Sequence, residues 1–195
     1  MSRVLCQMFS KSLVSGISEL CLNYKEYIEN MKAITYNFSH AFLQNKLTIM
    51  PLHVYGIKWN REQSAHLLPV IGKYMSNSFK EANAVIIDSL SLLTVFADPT
   101  KILDFFTQCK YLVASGMTVI LTIHPNDIPP DIAQRVTGSV DVFLQLGSEN
   151  IGGKDVKTCK IVKLIGASTT PESGFAFEVD QIFGIKVVPI SMANA

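Results

Sequence analysis

The sequence predicts a three-layer α/β fold with a mainly parallel sheet, followed by a C-terminal antiparallel strand meander. Helical and strand patterns alternate along most of the chain. Residues 84–88 and 117–123 are continuous apolar runs, which are typical of strands buried on both faces. After Leu146 the helical patterns stop, and glycine-containing turns separate short strands. A length of 195 residues predicts a single domain over residues 1–195.

The composition excludes several classes of protein. Apolar residues make up 48% of the chain and charged residues 17%, which excludes a disordered chain. Seventeen Lys and Arg residues against sixteen Asp and Glu residues indicate no general basic surface for nucleic acid. The apolar stretches 84–97 and 111–123 are shorter than the roughly 20 residues of a membrane-spanning helix. Residues 1–20 do not resemble a signal peptide, because polar residues interrupt the apolar region that such a peptide needs. We therefore expect a cytosolic or peripheral protein.

The first part of the chain predicts helices and strands in alternation. Apolar residues recur at helical spacing from Val4 to Leu13 and predict a helix that ends before Gly16. The next segments, in the order strand, helix, strand and helix, are residues 17–22, 24–34, 47–52 and 61–79. The last of these is the longest, and its apolar residues lie on one predicted face.

The second part begins with the strand at 84–88 and a helix with clear end signals. Asp98 is a capping residue, Pro99 suits the first helical turn, and Gly116 ends the helix. The following segments are a strand at 117–123, a short helix at 132–136 and strands at 140–146, 156–164, 174–179 and 184–189. The last three strands predict the meander, because glycine-containing turns separate them.

Two polar residues stand at the predicted carboxyl ends of the buried strands, where ligands bind in this fold class. Asp88 ends the first apolar run, as in a Walker B strand, whose carboxylate orients Mg²⁺ and its waters beside phosphates. The alternative is that Asp88 serves turn chemistry alone. His124 ends the next strand and suits contact with a γ-phosphate or a bound water, or a hydrogen bond to a neighbouring loop.

Other motifs are rejected. Residues 147–154 resemble a phosphate-binding loop, but a second glycine displaces the lysine, Asp155 replaces the required Ser or Thr, and a strand follows. A hairpin turn is the better prediction. The four cysteines are widely spaced and contain no CxxC pair, which argues against a structural metal or a disulfide framework.

Several segments taken together resemble the RecA-type ATPases of the KaiC-like superfamily. They are AVIIDSLSLL at 84–93, TVILTIHP at 118–125, VTGSVDVFLQL at 136–146, IGGKDVK at 151–157 and FEVDQIFGIKVVPIS at 177–191. Within that superfamily the chain is most similar to the motor accessory family of the archaellum (the archaeal flagellum). The resemblance implies a RecA-like P-loop fold that binds ATP and Mg²⁺ and assembles as a homo-oligomeric ring. It also implies a cytoplasmic position at the inner face of the cell membrane, beside the motor ATPase and the membrane platform.

The resemblance carries over to individual residues. Asp88 falls on the Walker B aspartate, and His124 falls on the polar position that ends the adjacent strand. Ser2 takes the place of the P-loop Ser or Thr, because the residues after it resemble the helix that follows that loop; Met1 then stands at the lysine position. The resemblance thus implies cofactor binding by Ser2, Asp88 and His124, with Mg²⁺ held by Ser2 and Asp88.

The chain departs from the family pattern in ways that bear on hydrolysis. The glycine-rich loop and the strand before it have no counterpart, and Glu19 is the acid nearest to the position of the usual catalytic glutamate. Ser89, rather than a glutamate, follows Asp88. Without the central strand, the strands at 117–123 and 140–146 would have open edges. We expect a misassigned start or fragment, rearranged strands, or an edge completed by another chain.

Three functional hypotheses follow. The first is an ATP-binding accessory subunit whose nucleotide state regulates ring assembly and contacts with the motor ATPase and the membrane platform. The second is a pseudo-ATPase that serves as an interaction or structural subunit without nucleotide. The third is a KaiC-like signalling or recombination ATPase with a DNA-binding lysine stripe at Lys154, Lys157, Lys160 and Lys163. A spacing of three alternates the faces of a strand, which favours solvated edge lysines over a stripe.

Overall fold

The computed structural model describes residues 3–8, 29, 31–33, 36–51, 61–78, 82–124, 127–151, 153–166 and 174–188. The chain divides into two compact units. The first comprises Met1–Ile28 and Phe38–Val136, and the second comprises Glu29–Asn37 and Thr137–Ala195. The predicted strand at 17–22 lies outside the described residues. Residues 29 and 31–33 are helical, as the prediction for 24–34 requires.

The first unit contains a parallel sheet and most of the helices. Its strands are β1 (Arg3–Met8), β2 (Leu47–Pro51), β3 (Ala82–Asp88) and β4 (Thr118–Leu121). Besides residues 29 and 31–33, the helices in the described ranges are α1 (Ser39–Leu43), α2 (Arg61–Ser78), α3 (Ser91–Thr94), α4 (Pro99–Ala114) and α5 (Pro130–Ser139). The strand order is β2-β1-β3-β4, and all three pairings are parallel. The parallel sheet that the alternating pattern predicts is therefore confirmed.

The predicted helix from Val4 to Leu13 is wrong over residues 3–8. These residues form β1, which pairs in parallel with β2 on one side and with β3 on the other. Val4 lies opposite Leu47 and Ala84, and Met8 lies opposite Asp88. The apolar residues between Val4 and Met8 are compatible with a strand as well as with a helix, and pairing with distant strands decides between the two.

Buried side chains of β3, α2 and α4 form much of the core of the first unit. Val85 and Ile87, which share one face of β3, are fully buried (0% exposed), whereas Ala84 and Ile86 on the other face are partly exposed. The predicted strand is confirmed, but full burial is confirmed for one of its faces only. Asp98 caps α4 by accepting a hydrogen bond from the backbone N–H of Thr100 at 2.8 Å. The buried apolar side chains of the two long helices are Leu68, Ile71 and Met75 of α2 and Ile102, Phe105, Phe106 and Cys109 of α4. Burial raises the pKa of the Cys109 thiol to about 12.

The strand predicted at 117–123 is shorter and less buried than expected. It covers only Thr118–Leu121, and Ile120 is 46% exposed. The cause is its position, since β3 pairs with one side of β4 and no strand among the described residues pairs with the other. The prediction of a strand buried on both faces is therefore wrong for β4.

The second unit contains the predicted meander, and the strand predicted at 140–146 joins it. The prediction that this strand belongs to the parallel sheet, near 117–123, is wrong: a tight turn connects it to the first meander strand, and the two pair antiparallel. The strands of this unit are β5 (Val142–Ile151), β6 (Lys154–Leu164), β7 (Gly174–Asp180) and β8 (Gly184–Val188). They pair antiparallel in chain order. In the turn between β7 and β8, the Asp180 carboxylate accepts hydrogen bonds from the backbone N–H of Phe183 (2.9 Å) and of Ile182 (2.7 Å). These two hydrogen bonds hold the pKa of Asp180 below its usual value, and the bond from Phe183 has the larger effect.

Candidate functional site

The candidate site lies at the carboxyl ends of β3 and β4. Asp88 is the last residue of β3 and is exposed. Thr122 follows directly after β4, and its hydroxyl donates a hydrogen bond to Oδ1 of Asp88 at 2.5 Å. Parallel strands present their carboxyl ends at one edge of the sheet, which brings together two residues that are 34 positions apart in the chain.

Backbone hydrogen bonds join the two strand ends beside this contact. The N–H of Thr122 donates to the carbonyl of Ile87 at 3.0 Å. The N–H of Leu90 donates to the carbonyl of Thr122 at 2.8 Å. The Asp88–Ser89 peptide between these contacts is cis. Thr122 is thus bonded to residues on both sides of Asp88 and to Asp88 itself.

Buried hydroxyl groups beneath the site connect α3 to the segment after β4. Ser91 is 5% exposed, and its hydroxyl oxygen accepts a hydrogen bond from the backbone N–H of His124 at 2.9 Å. Thr94 is 3% exposed, and its hydroxyl lies 3.0 Å from the carbonyl of Ser91 and 3.3 Å from that of Asp127. Buried hydroxyl groups with such partners hold a loop in one conformation.

The predicted site residues divide into two groups. Asp88 ends its strand as expected, whereas His124 lies three residues beyond the end of β4, with its backbone N–H bonded to Ser91. Ser2 and Glu19 lie outside the described residues, so their roles stay predictions. No individual role was predicted for Thr122 or Ser91, although both follow the predicted strands directly or closely; the available signal for Thr122 was a polar residue immediately after an apolar strand, two positions before His124.

The groups around Asp88 suit a divalent cation that arrives with its own ligands. Carboxylate and hydroxyl oxygens are the donors that Mg²⁺ prefers, and Mg²⁺ commonly takes only one or two protein carboxylates beside water and substrate phosphates. Within the described ranges, no group of three or more His, Cys, Asp or Glu side chains could hold a metal ion. The oxygen atoms of Asp88 are donors of the type that Mg²⁺ takes. Such a Mg²⁺ would neutralise phosphate charge.

The glycine-rich segment at 147–154 forms the β5–β6 hairpin. Ile151 lies opposite Lys154 in the antiparallel register, and Gly153 has a positive φ of 82°. Glycine adopts this turn conformation without strain. Because a strand follows it instead of a helix, this segment lacks the geometry of a phosphate-binding loop, as predicted.

One of the lysines on β6 is hydrogen-bonded to the end of a helix. The ammonium of Lys163 donates to the carbonyls of Gly138 (2.7 Å) and Thr137 (3.2 Å) at the end of α5. Lys157 and Lys160 are exposed on β6. One member of the proposed stripe therefore binds the carboxyl end of a helix, where a cation is favourable.

None of the helices in the described ranges combines the length and the apolar character that a membrane crossing requires.

Solved structures define the class of protein. A crystal structure of the flagellar accessory protein FlaH from Methanocaldococcus jannaschii is similar with a TM-score of 0.76 at 19% identity, covering 96% of this chain and 77% of that one. A KaiC-like protein from Pyrococcus horikoshii OT3 is similar with a TM-score of 0.64 at 16% identity, with the same coverage of both chains. The chain therefore has the RecA-type α/β fold of KaiC-like proteins.

Sequence relatives define the family within that class. An archaeal flagellar ATP-binding protein FlaH from Sulfolobus acidocaldarius is 34% identical over 171 residues, which cover 88% of this chain and 74% of the relative. The protein of the same name from Methanocaldococcus jannaschii is 24% identical over 169 residues, 86% of this chain and 71% of the relative. No family model matches the chain. The chain belongs to the FlaH family, which confirms the resemblance found in the sequence.

Proposed function

We propose that the chain is an ATP-binding accessory subunit of the archaellum motor. Nucleotide binding at the carboxyl ends of β3 and β4 regulates the assembly of a homo-oligomeric ring. It also regulates contacts with the motor ATPase and the membrane platform. In this proposal Asp88 and Ser2 contribute ligands to the Mg²⁺ of MgATP, and His124 lies on the phosphate side of the site. The protein acts in the cytoplasm, at the inner face of the cell membrane.

The observation that carries the proposal is the exposed carboxylate of Asp88 at the end of a parallel strand, in a chain of the FlaH family. The two relatives carry ATP binding in their names. The hydroxyl of Thr122 donates one hydrogen bond to the Asp88 carboxylate, which leaves other lone pairs of that carboxylate available to Mg²⁺. Family and local chemistry therefore support the same ligand.

The first experiment measures binding of a fluorescent ATP analogue with and without Mg²⁺. We expect binding that requires Mg²⁺ and that Asp88→Ala weakens about tenfold or more, since a metal ligand is lost. Asp104→Ala is the matched control, because Asp104 is an exposed carboxylate on α4. Equal binding by the Asp88→Ala variant and the wild type would contradict the proposal.

Assembly is tested separately. Sedimentation of the full chain with Mg²⁺ and a slowly hydrolysed ATP analogue is expected to give a larger species than sedimentation without nucleotide. The Asp88→Ala variant should keep the smaller size under both conditions. A distribution of sizes that does not change with nucleotide would remove the regulatory part of the proposal while leaving nucleotide binding intact.

A pseudo-ATPase is the second candidate, and two observations favour it. The glycine-rich segment with Lys154 is a β-hairpin, and Ser89, which follows Asp88, is a buried serine rather than a glutamate. This candidate predicts that binding to the motor ATPase is the same with and without MgATP. A pull-down that requires MgATP would exclude it.

A further inference from the structure

Thr122 makes a set of contacts that is unusual for an exposed residue after a short strand. Its backbone N–H donates to Ile87, its carbonyl accepts from Leu90, and its hydroxyl donates to Asp88. The three polar groups of this one residue thus bind the last two residues of β3 and Leu90 in the turn that follows. The segment after β4 and the turn after β3 are thereby joined at the carboxylate that the proposed function uses.

The hydroxyl contact restricts the Asp88 side chain. An exposed carboxylate without a partner exchanges between rotamers, whereas a hydrogen bond from a fixed donor favours one of them. Threonine is a suitable donor because its β-branched side chain is stiff about χ1. One donated hydrogen bond occupies one of about four lone-pair sites of a carboxylate, so the others stay available to a cation.

We propose that Thr122 is a positioning residue: its hydroxyl holds the Asp88 carboxylate in one orientation and thereby strengthens the binding of Mg²⁺ with nucleotide. The second half of this statement rests on the proposed function, and the first half does not. His124 cannot fill this role through its backbone, because its N–H is already donated to Ser91. Partners that orient a metal ligand typically change metal affinity by about 10–100-fold.

The test uses two replacements of Thr122. Thr122→Val keeps the branched shape and removes the donor, and Thr122→Ser keeps the donor. Thr118→Val is the matched control, since Thr118 is an exposed threonine at the other end of β4. Three-bond couplings measured by NMR on the protein without ligand report the χ1 populations of Asp88. Titration of Mg²⁺ at a fixed concentration of the fluorescent ATP analogue reports the affinity.

We expect one dominant Asp88 rotamer in the wild type, in Thr122→Ser and in Thr118→Val, and averaged rotamers in Thr122→Val. We also expect the apparent Mg²⁺ dissociation constant to rise about tenfold in Thr122→Val alone. An unchanged Asp88 rotamer in Thr122→Val would overturn the positioning role. Averaged rotamers with unchanged Mg²⁺ affinity would overturn the link to the metal. A wild type that binds no nucleotide, together with the rotamer effect, would refute the proposed function and leave the positioning role standing.

Discussion

The hydrogen bond between Ser91 and His124 gives a quantitative test of how the candidate site is supported. Ser91→Ala removes the hydroxyl oxygen that accepts from the His124 N–H at 2.9 Å. A donor left without a partner in a buried place costs about 1–3 kcal/mol. Because water has partial access to this contact, the lower half of that range applies. Alanine also favours helix α3 by a few tenths of a kcal/mol, roughly, so we expect a net loss of about 1 kcal/mol.

Urea denaturation measures the loss as a lower midpoint at an unchanged m-value. Hydrogen exchange of the His124 amide should accelerate at the same time, since its acceptor is gone. Ser148→Ala on β5 is the control, because Ser148 is exposed and its replacement is expected to change the unfolding free energy by less than about 0.5 kcal/mol. A Ser91→Ala variant with wild-type stability and an unchanged exchange rate at His124 would show that this contact does not hold the loop.

Three further predictions concern the core, a thiol and a turn. Phe105→Ala should lower the unfolding free energy by about 3–5 kcal/mol, because Phe105 is 2% exposed. Tyr111→Ala, on the exposed side of α4, is the control and should change the unfolding free energy little. Equal effects of the two replacements would contradict the packing of α4. The Cys109 thiol, with a pKa of about 12, should resist alkylation at pH 8 in the folded protein and react after unfolding, as peptide mass spectrometry can check. The lowered pKa of Asp180 should add stability that is present above the unfolded value of 3.8 and lost as the pH falls through the folded value. Asp180→Asn should reduce this loss of unfolding free energy at low pH, as measured by denaturation at several pH values. An unchanged pH dependence would contradict the hydrogen bonds in the turn.

Local sequence patterns correctly predicted those elements whose end signals and apolar spacing lie within the element itself. The helix at α4 is marked by its cap, its apolar spacing and its terminal glycine, and the structure places it at Pro99–Ala114. The strand β3 is marked by a continuous apolar run, which predicts burial on both faces; full burial is reached on the face of Val85 and Ile87. Asp88 was predicted for the same reason, because it ends that run.

The features that were missed depend on partners far away in the chain. The β1 strand is decided by its pairing with β2 and β3, which no spacing within residues 3–8 can reveal. The low burial of β4 reflects its place at the end of the described sheet and not its composition, which is as apolar as that of β3. The role of Thr122 depends on its hydrogen bond to Asp88, which lies 34 positions earlier in the chain.

The two sheets also differ in when their contacts can form. Strands β5 to β8 pair with their neighbours in chain order, so each hairpin closes a short loop at low entropic cost. In the parallel sheet, β1 pairs with β3 across nearly half of the chain, as in the pairing of Leu5 with Val85. Topologies dominated by such distant contacts fold more slowly. We therefore expect the meander to become protected early in refolding, and the pairing of β1 with β3, which ends beside Asp88, to be among the last features to form.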